Sequence, residues 1–393
     1  MISRVFQDKT LGQLGFGTMR LPTLADGSID QQTLNRMVER ALEGGINYFD
    51  TAWPYHANQS ERAIGEALAA YPRDRFFLAT KYPGHVIMSR YDPAEVFEAQ
   101  LKKCRVEYFD FYLLHNVYER SIDTYADPQW GILEYFRLQK RLGRVRHLGF
   151  SCHGGLNTLE QFLDLAPDME FCQIQLNYLD WTLQEAKEKV ELLNARGIPV
   201  WVMEPVRGGG LAALPEEAER RLKALRPNES IPAWAFRFLQ DLPGVDMILS
   251  GMSNMEQLED NLRTFEAEKP LSAEERALLL DIAESLKDLI PCTGCRYCCD
   301  SCPLSLNIPF LLSAANEMRV LPSLNTGMRV EALPEEKRPA ACIACGACAA
   351  ACPQGIDIPA ALAELAEGLA GLPSWAEISR QREEAERRDR ERG

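Results

Sequence analysis

Nine of the chain's twelve cysteines fall between Cys292 and Cys352, and eight of those nine form two copies of one spacing. Cys292, Cys295, Cys298 and Cys302 are followed by Pro303, and Cys342, Cys345, Cys348 and Cys352 by Pro353. Each copy reads C-x2-C-x2-C-x3-C-P, and every cysteine of the first recurs 50 residues later in the second. Five residues after each fourth cysteine comes Asn307-Ile308-Pro309 or Asp357-Ile358-Pro359, a helix-start signal. The offset maps Cys298 onto Cys348 but Cys299 onto Ala349, so Cys299 is not expected to be a ligand. Only Cys104, Cys152 and Cys172 come earlier, which divides the chain into a cysteine-poor body and a cysteine-rich module.

With 393 residues the chain has room for two or three domains, and 46% hydrophobic with 25% charged residues excludes disorder throughout. The balance of 43 basic against 57 acidic residues, a net charge of −14, argues against nucleic-acid or anionic-membrane partners. No apolar run approaches the ~18–20 residues of a membrane span, and the start, MISRVFQDKTLGQLGFG, lacks the apolar stretch of a signal peptide. The expected compartment is therefore the cytosol. Thiols stay reduced there, and a local crowd of cysteines reads as metal ligation before disulfides.

Three cysteines at tight spacing wrap one face of a cluster, and a distant fourth, fixed by proline, reaches another. This resembles the bacterial ferredoxin pattern, in which the fourth cysteine serves the other site. It implies two [4Fe-4S] clusters, ligated by Cys292, Cys295, Cys298 with Cys352, and by Cys342, Cys345, Cys348 with Cys302. Zinc is the structural competitor, since C-x2-C pairs also build zinc ribbons; the third cysteine and the Cys-Pro ending, each present twice, favour iron–sulfur. The 39 residues between Cys302 and Cys342 are long for a compact bacterial ferredoxin. They carry helical patterning over Pro309–Val320 and then a Pro/Gly/Asn-rich stretch, Pro322–Gly327, so the module resembles the mainly helical two-cluster ferredoxin-type domains. Leu271–Leu289 reads as a connecting helix with a capping box from Ser272 to Glu275, and Arg380–Gly393 as a solvated, charged tail. The expected organisation is 1–270, body; 271–290, connecting helix; 291–373, cluster module; 374–393, tail.

In the body, short apolar β-rich runs alternate with helical patterns. The strand candidates are Leu14–Met19, Ile46–Ala52, Phe76–Lys81, Phe109–His115, Val145–Ser151, Phe171–Asn177, Pro199–Pro205 and Val245–Gly251. Gln31–Glu43, Glu95–Cys104, Leu183–Asn194 and Met255–Phe265 show 3.6-residue periodicity. Eight such units have the rhythm of an α/β (β/α)8 TIM barrel. A doubly wound sheet competes, but Gly15-Phe16-Gly17-Thr18 lacks the third glycine of a dinucleotide fingerprint. Asp50, Lys81, His115, Ser151 and Glu204 lie at or near strand ends, which a barrel would gather at one mouth. Beside Tyr55 they suggest proton chemistry at a carbonyl. A phenol has an ordinary pKa near 10, a nearby ammonium lowers it, a carboxylate keeps that ammonium charged and fixed, and a neutral imidazole orients the carbonyl oxygen.

Phe49-Asp50-Thr51-Ala52-Trp53-Pro54-Tyr55, Ala79-Thr80-Lys81, Leu113-Leu114-His115-Asn116 and Val145-Arg146-His147-Leu148-Gly149-Phe150-Ser151 resemble the motifs of the aldo-keto reductases, in the same order. The resemblance covers roughly residues 1–266 and implies a barrel that binds NADP or NAD without a Rossmann fold. It implies Tyr55 as general acid/base, Lys81 as modulator of its pKa, Asp50 as the partner of Lys81 and His115 as the carbonyl-orienting group. It assigns Ser151 and Gln173 to the nicotinamide carboxamide, and Thr18, Asp50 and Met203 to the cofactor site. Val206, Arg207 and Gly208 fall beside the pyrophosphate, and Ser250, Gly251, Ser253, Gln257 and Asn261 at the adenosine end. Three departures stand out: Cys152 where many relatives carry Asn, Met203 where a Tyr often stacks, and an eighth-strand loop, GMSNMEQLEDN, with no Lys or Arg to meet a 2′-phosphate.

The two halves handle electrons differently, since nicotinamide delivers two as hydride and a cluster takes one. A flavin usually splits the pair; no flavin motif is visible, and a flavin in the barrel mouth stays open. The first reading is an iron–sulfur oxidoreductase whose barrel reduces carbonyls or oxidises alcohols, with the clusters relaying electrons or supporting the structure and a redox protein as a second partner. The alternative is an electron carrier with a vestigial barrel, and a metal-sensing regulator ranks last. Trp53, Tyr82, Tyr118 and Trp130 are candidates for the substrate mouth, equally readable as packing. His56, His85 and His153 read as surface or loop residues, and only His153, two after Ser151, falls near the pocket.

Overall fold

The computed structural model describes the chain apart from residues 288, 291, 293–295, 353 and 393, so Cys295 and Pro353 lie outside the described residues. Two units result: Met1–Leu279 with Arg382–Gly393, and Leu280–Gln381.

The first unit is a closed barrel of eight parallel strands. They are β3 (Leu14–Gly17), β4 (Tyr48–Asp50), β5 (Phe77–Tyr82), β6 (Phe109–Val117), β7 (Val145–Cys152), β8 (Cys172–Gln175), β9 (Val200–Met203) and β10 (Val245–Gly251), with β10 closing on β3. All eight expected strands are present in the expected order. β9 stops short of the expected Pro205 because Glu204 turns left-handed (φ 58°) ahead of a proline that has no N–H to donate. The patterned stretch Leu183–Asn194 is two helices, Asp180–Leu183 and Ala186–Ala195, broken at Glu185 (φ 52°). Local chemistry sets the helix starts. Asp30 accepts from Thr33 N at 3.0 Å to open Gln31–Glu43, whose Leu34, Met37, Val38, Ala41 and Leu42 form the buried face. Asp92 caps Pro93–Cys104 in the same way, with proline in the first turn.

A hairpin that sequence patterning did not single out, β1 (Ser3–Phe6) and β2 (Lys9–Gly12), precedes the barrel. It is tied down where Ile2 N donates to Phe265 O and Gln13 N to Ile2 O. Its Phe6 ring lies 5.6 Å from Phe111, 6.2 Å from Phe171 and 5.1 Å from Trp201, the last two near edge-on. Leu11, Tyr48, Ala79, Leu113, Met247 and Leu249 complete the buried members of this cluster. Aromatic rings therefore fill the barrel behind the polar strand ends, so the interior is a packed core and not a pore.

The second unit is helical, and its helices obey the cysteine repeat. Tyr297–Asp300 and Ile308–Val320 recur 50 residues on as Ala347–Ala350 and Ile358–Ala370. The two long helices share one core, in which Leu306, Ile308 and Leu312 correspond to Ile356, Ile358 and Leu362. Part of the Pro/Gly/Asn-rich stretch is helix: Leu324–Glu331 starts where Ser323 Oγ accepts from Asn325 N.

Because Phe6 is buried among rings that pack only once the hairpin is in place, Phe6→Ala should lower barrel stability by about 3–5 kcal/mol. Urea unfolding followed by near-ultraviolet circular dichroism would register this as an earlier transition; an unchanged midpoint would contradict the plug role.

Candidate active site and cluster cavities

Strand ends place the polar residues together. Lys81 is the next-to-last residue of β5 and is fully buried, and Asp50 at the end of β4 is buried too. Lys81 Nζ donates to Asp50 Oδ1 at 2.5 Å, to Thr51 O at 2.8 Å and to Tyr55 Oη at 3.4 Å. All three ammonium hydrogens thus have an acceptor in reach, and one is aimed at the phenol. The Tyr55 ring stands edge-on to the His115 ring, centroids 5.9 Å apart. The four residues expected to act together are therefore one cluster.

Their protonation follows from burial and neighbours. Burial holds the Tyr55 phenol above its ordinary value near 10; the Lys81 ammonium pulls it down as expected, but burial is the larger influence. Burial also works against the Lys81 ammonium, yet the Asp50 carboxylate and Tyr55 more than offset it, and the amine stays charged. Burial, then His85 and the Lys81 ammonium, hold His115 well below the usual imidazole range, so it is neutral at pH 7.

His85 lies in the turn after β5, as its position suggested, but not at the surface. It is buried, its ring centroid 4.3 Å from that of His115. The segment after His115 is braced as well: Tyr125 Oη donates to His115 O at 2.6 Å, and Asn116 N, in a left-handed residue (φ 57°), donates to Ser151 Oγ at 2.7 Å. Behind β5 lies a buried network that sequence reading did not find. Thr80 Oγ1 and Gln100 Nε2 donate to Glu61 Oε1, Gln100 Nε2 also reaches Lys81 O, and Tyr112 Oη donates to Gln100 Oε1.

The expected cofactor residues lie on the barrel strands, in the loops that follow them or on the next helix. Gln173 is buried beside Ser151, its strand partner, and Gln173 Oε1 accepts no hydrogen bond among the described residues. An orphaned buried acceptor is what a carboxamide N–H would satisfy, so this position fits a nicotinamide. Met203 ends β9, while the Thr18 hydroxyl is engaged inside the protein by Ser60 Oγ at 2.7 Å. Val206 leads into a tight turn with Gly208 at φ 65°. Arg207 is buried 3.3 Å from the Asp180 carboxylate, which Gln175 and Asn177 also contact. In the eighth-strand loop, Asn261 donates to Ser250 Oγ and Ser253 N to Gln257 Oε1, and Gly251 lies beside the Arg20 side chain. Arg20, from the turn after β3, brings this loop a cation that the loop's own sequence lacks; it lies 3.9 Å from Glu204. Of the aromatic candidates for the mouth, Tyr82 packs on Phe136, Trp53 carries Lys103 on its ring face, and Trp130 lies against Tyr91.

In the helical unit two separate cavities are lined by cysteines. One is walled by Cys292, Cys298 and Cys352, with Arg296, Gln354 and apolar side chains. The other is walled by Cys302, Cys342, Cys345 and Cys348 among Leu, Ile and Pro side chains. Each is also lined by the fourth cysteine of the other motif, so the described cysteines group as in the expected pairing, with Cys295 outside the described residues. Thiolates converging on a small apolar cavity are a donor set that suits an iron–sulfur cluster. Cys299 lines neither cavity.

The aldo/keto reductase family model matches residues 13–284, and a 4Fe-4S dicluster domain matches residues 285–353. The chain belongs to the aldo/keto reductase family, its barrel followed by a 4Fe-4S dicluster domain. Probable aldo-keto reductase 1 of Glycine max is 28% identical over 210 residues, 51% of this chain but only 57% of that protein's length. The NADH-specific methylglyoxal reductase of Escherichia coli is 23% identical over 325 residues, 71% of this chain and 97% of that one. Among solved structures, the holo form of aldo-keto reductase AKR11C1 from Bacillus halodurans aligns with a TM-score of 0.59 at 27% identity, covering 72% of this chain and 96% of that one. Among the described residues no helix is long and apolar enough to cross a membrane.

Buried neutral His85 and His115 make barrel stability depend on pH. Above the unfolded imidazole pKa of about 6.5 they are neutral in both states. As pH falls through that value, the unfolded chain takes up protons that the folded barrel refuses, and stability is lost. Urea unfolding should show stability level above about pH 7 and declining below about 6.5, by up to ~1.4 kcal/mol per pH unit for each imidazole. A flat profile, or one rising on acidification, would contradict the buried neutral pair.

Proposed function

We propose that the barrel mouth carries out NAD(P)H-linked reduction of small carbonyl compounds, or the reverse oxidation of alcohols. The observation that carries this reading is the Lys81 ammonium, saturated by Asp50, Thr51 and the Tyr55 phenol. Bound nicotinamide would supply hydride to the carbonyl carbon, held through its carboxamide by Gln173 and Ser151. The chain's own residues handle the proton. Tyr55, held protonated by burial, donates it to the carbonyl oxygen. Lys81 then faces the phenolate with its charge intact, because Asp50 fixes that charge in place. His115, neutral, keeps an N–H to orient the same oxygen. In alcohol oxidation these roles reverse.

The cysteines of the second unit would hold two [4Fe-4S] clusters in the pairing Cys292, Cys295, Cys298, Cys352 and Cys342, Cys345, Cys348, Cys302. Clusters there supply one-electron storage or structural support. A carbonyl substrate is supported by the family and by the named activity of the Escherichia coli relative.

Replacing Tyr55 with Phe removes the proton donor and leaves the ring. NAD(P)H binding, read by cofactor fluorescence, should change little, while carbonyl reduction should fall by about 10²–10⁴-fold, the usual contribution of a general acid. Full activity in Tyr55→Phe would overturn the assignment.

A further inference from the structure

The two cysteine cavities are copies of one another. Under the 50-residue offset their cysteines exchange, and Leu312 and Ile358 in the first correspond to Leu362 and Ile308 in the second. Among the described residues of the first wall, two positions break the symmetry in the same direction. Arg296 corresponds to Gly346, and Gln354 to Leu304. The wall of the first cavity thus includes an arginine and a glutamine where the second motif has glycine and leucine.

Arg296 is also in an unfavourable place for an arginine. Its backbone is left-handed at φ 69°, matching Gly346 at φ 74°. The turn asks for glycine and has it in the second copy; a side chain there costs about 1–2 kcal/mol. Such an outlier points to a use for the side chain. Arg296 donates to Asn307 Oδ1 at 3.3 Å. The repeat mate, Asp357, caps its own helix by accepting from Ala360 N, whereas the Asn307 side chain makes no capping bond to its helix. A neutral Asn partners this exposed wall residue without cancelling the guanidinium's charge, as the Asp of the second copy would.

Adding one electron to a cluster adds one negative charge. A nearby cation and amide N–H groups stabilise that reduced form and raise the reduction potential, while an apolar wall lowers it. We infer that the module is electrically asymmetric: Arg296 and Gln354 give the first cavity the higher reduction potential, so the first electron entering the module rests there. This rests on the reading that both cavities hold [4Fe-4S] clusters.

The test is a dithionite titration of the full-length protein, anaerobically reconstituted and followed by electron paramagnetic resonance, with iron and sulfide assayed alongside. The key variant combines Arg296→Gly with Gln354→Leu, each the residue of the other copy and the glycine suited to its backbone. Wild type should reduce in two one-electron steps. In the variant the upper step should move down by at least about tenfold in the reduced-to-oxidised ratio, ~59 mV for one electron, while the lower step stays. Leu304→Gln should raise the lower step and leave the upper in place. Coincident steps in wild type, or an upper step unmoved in the iron-loaded variant, would overturn the asymmetry. Wild type that takes up iron and sulfide for fewer than two clusters would instead overturn the cluster reading, and the asymmetry with it.

Discussion

An ammonium with no exposed surface keeps its charge only if it is paired and hydrogen-bonded, and at Lys81 both conditions are met by groups from the neighbouring strand and its loop. Removing water from Lys81 and Asp50 costs several kcal/mol per ion, so the pair is weak evidence of stabilisation. Deleting one member would be severe, about 3–5 kcal/mol, because the other charge would be stranded. What the pair provides is a cation fixed beside the Tyr55 phenol. Because successive strand residues face opposite sides, Lys81 points inward while Thr80 points outward to Glu61 and Gln100. The ion pair is thus held by its own partners at the mouth and by a polar network outside the barrel wall.

The helical unit meets a different constraint, which is to gather soft ligands in a segment too small for a large core. Repetition answers it: two similar helix pairs pack on each other, and each cavity borrows a cysteine from the other copy. Neither cavity is complete within one copy, so ligand binding at one site ties both copies together. The repeat also leaves each position free to vary against its mate, which is how a charged wall and an apolar wall coexist in one fold.

The barrel strands were legible because each is a buried apolar run between turn-formers, and the reactive residues because most of them end such runs. The cysteine repeat was legible from spacing, and the expected pairing came from its resemblance to the bacterial ferredoxin pattern. Other features depend on contacts distant in sequence. Glu61 and Gln100 sit on helices where a polar residue ordinarily reads as solvated. His85 follows a Pro-Gly pair and reads as loop, yet the chain turns back to lay it on His115. Arg20 and the eighth-strand loop are more than 200 residues apart in sequence and meet only because the barrel closes. The hairpin plug was missed for another reason: its strands are four residues each, too short for a periodic signal.

The central claim is that hydride moves directly within the barrel, with Tyr55 serving the oxygen. Anaerobic single-turnover reduction of small aldehydes by NADPH and by NADH, each carrying two deuterons at C4 of the nicotinamide, tests it in the full-length protein. Direct transfer predicts one deuteron on the carbinol carbon for each cofactor oxidised, because hydride passes from carbon to carbon without meeting solvent. Electrons routed one at a time through clusters would take their proton from water, and an alcohol without deuterium at that carbon would contradict the account.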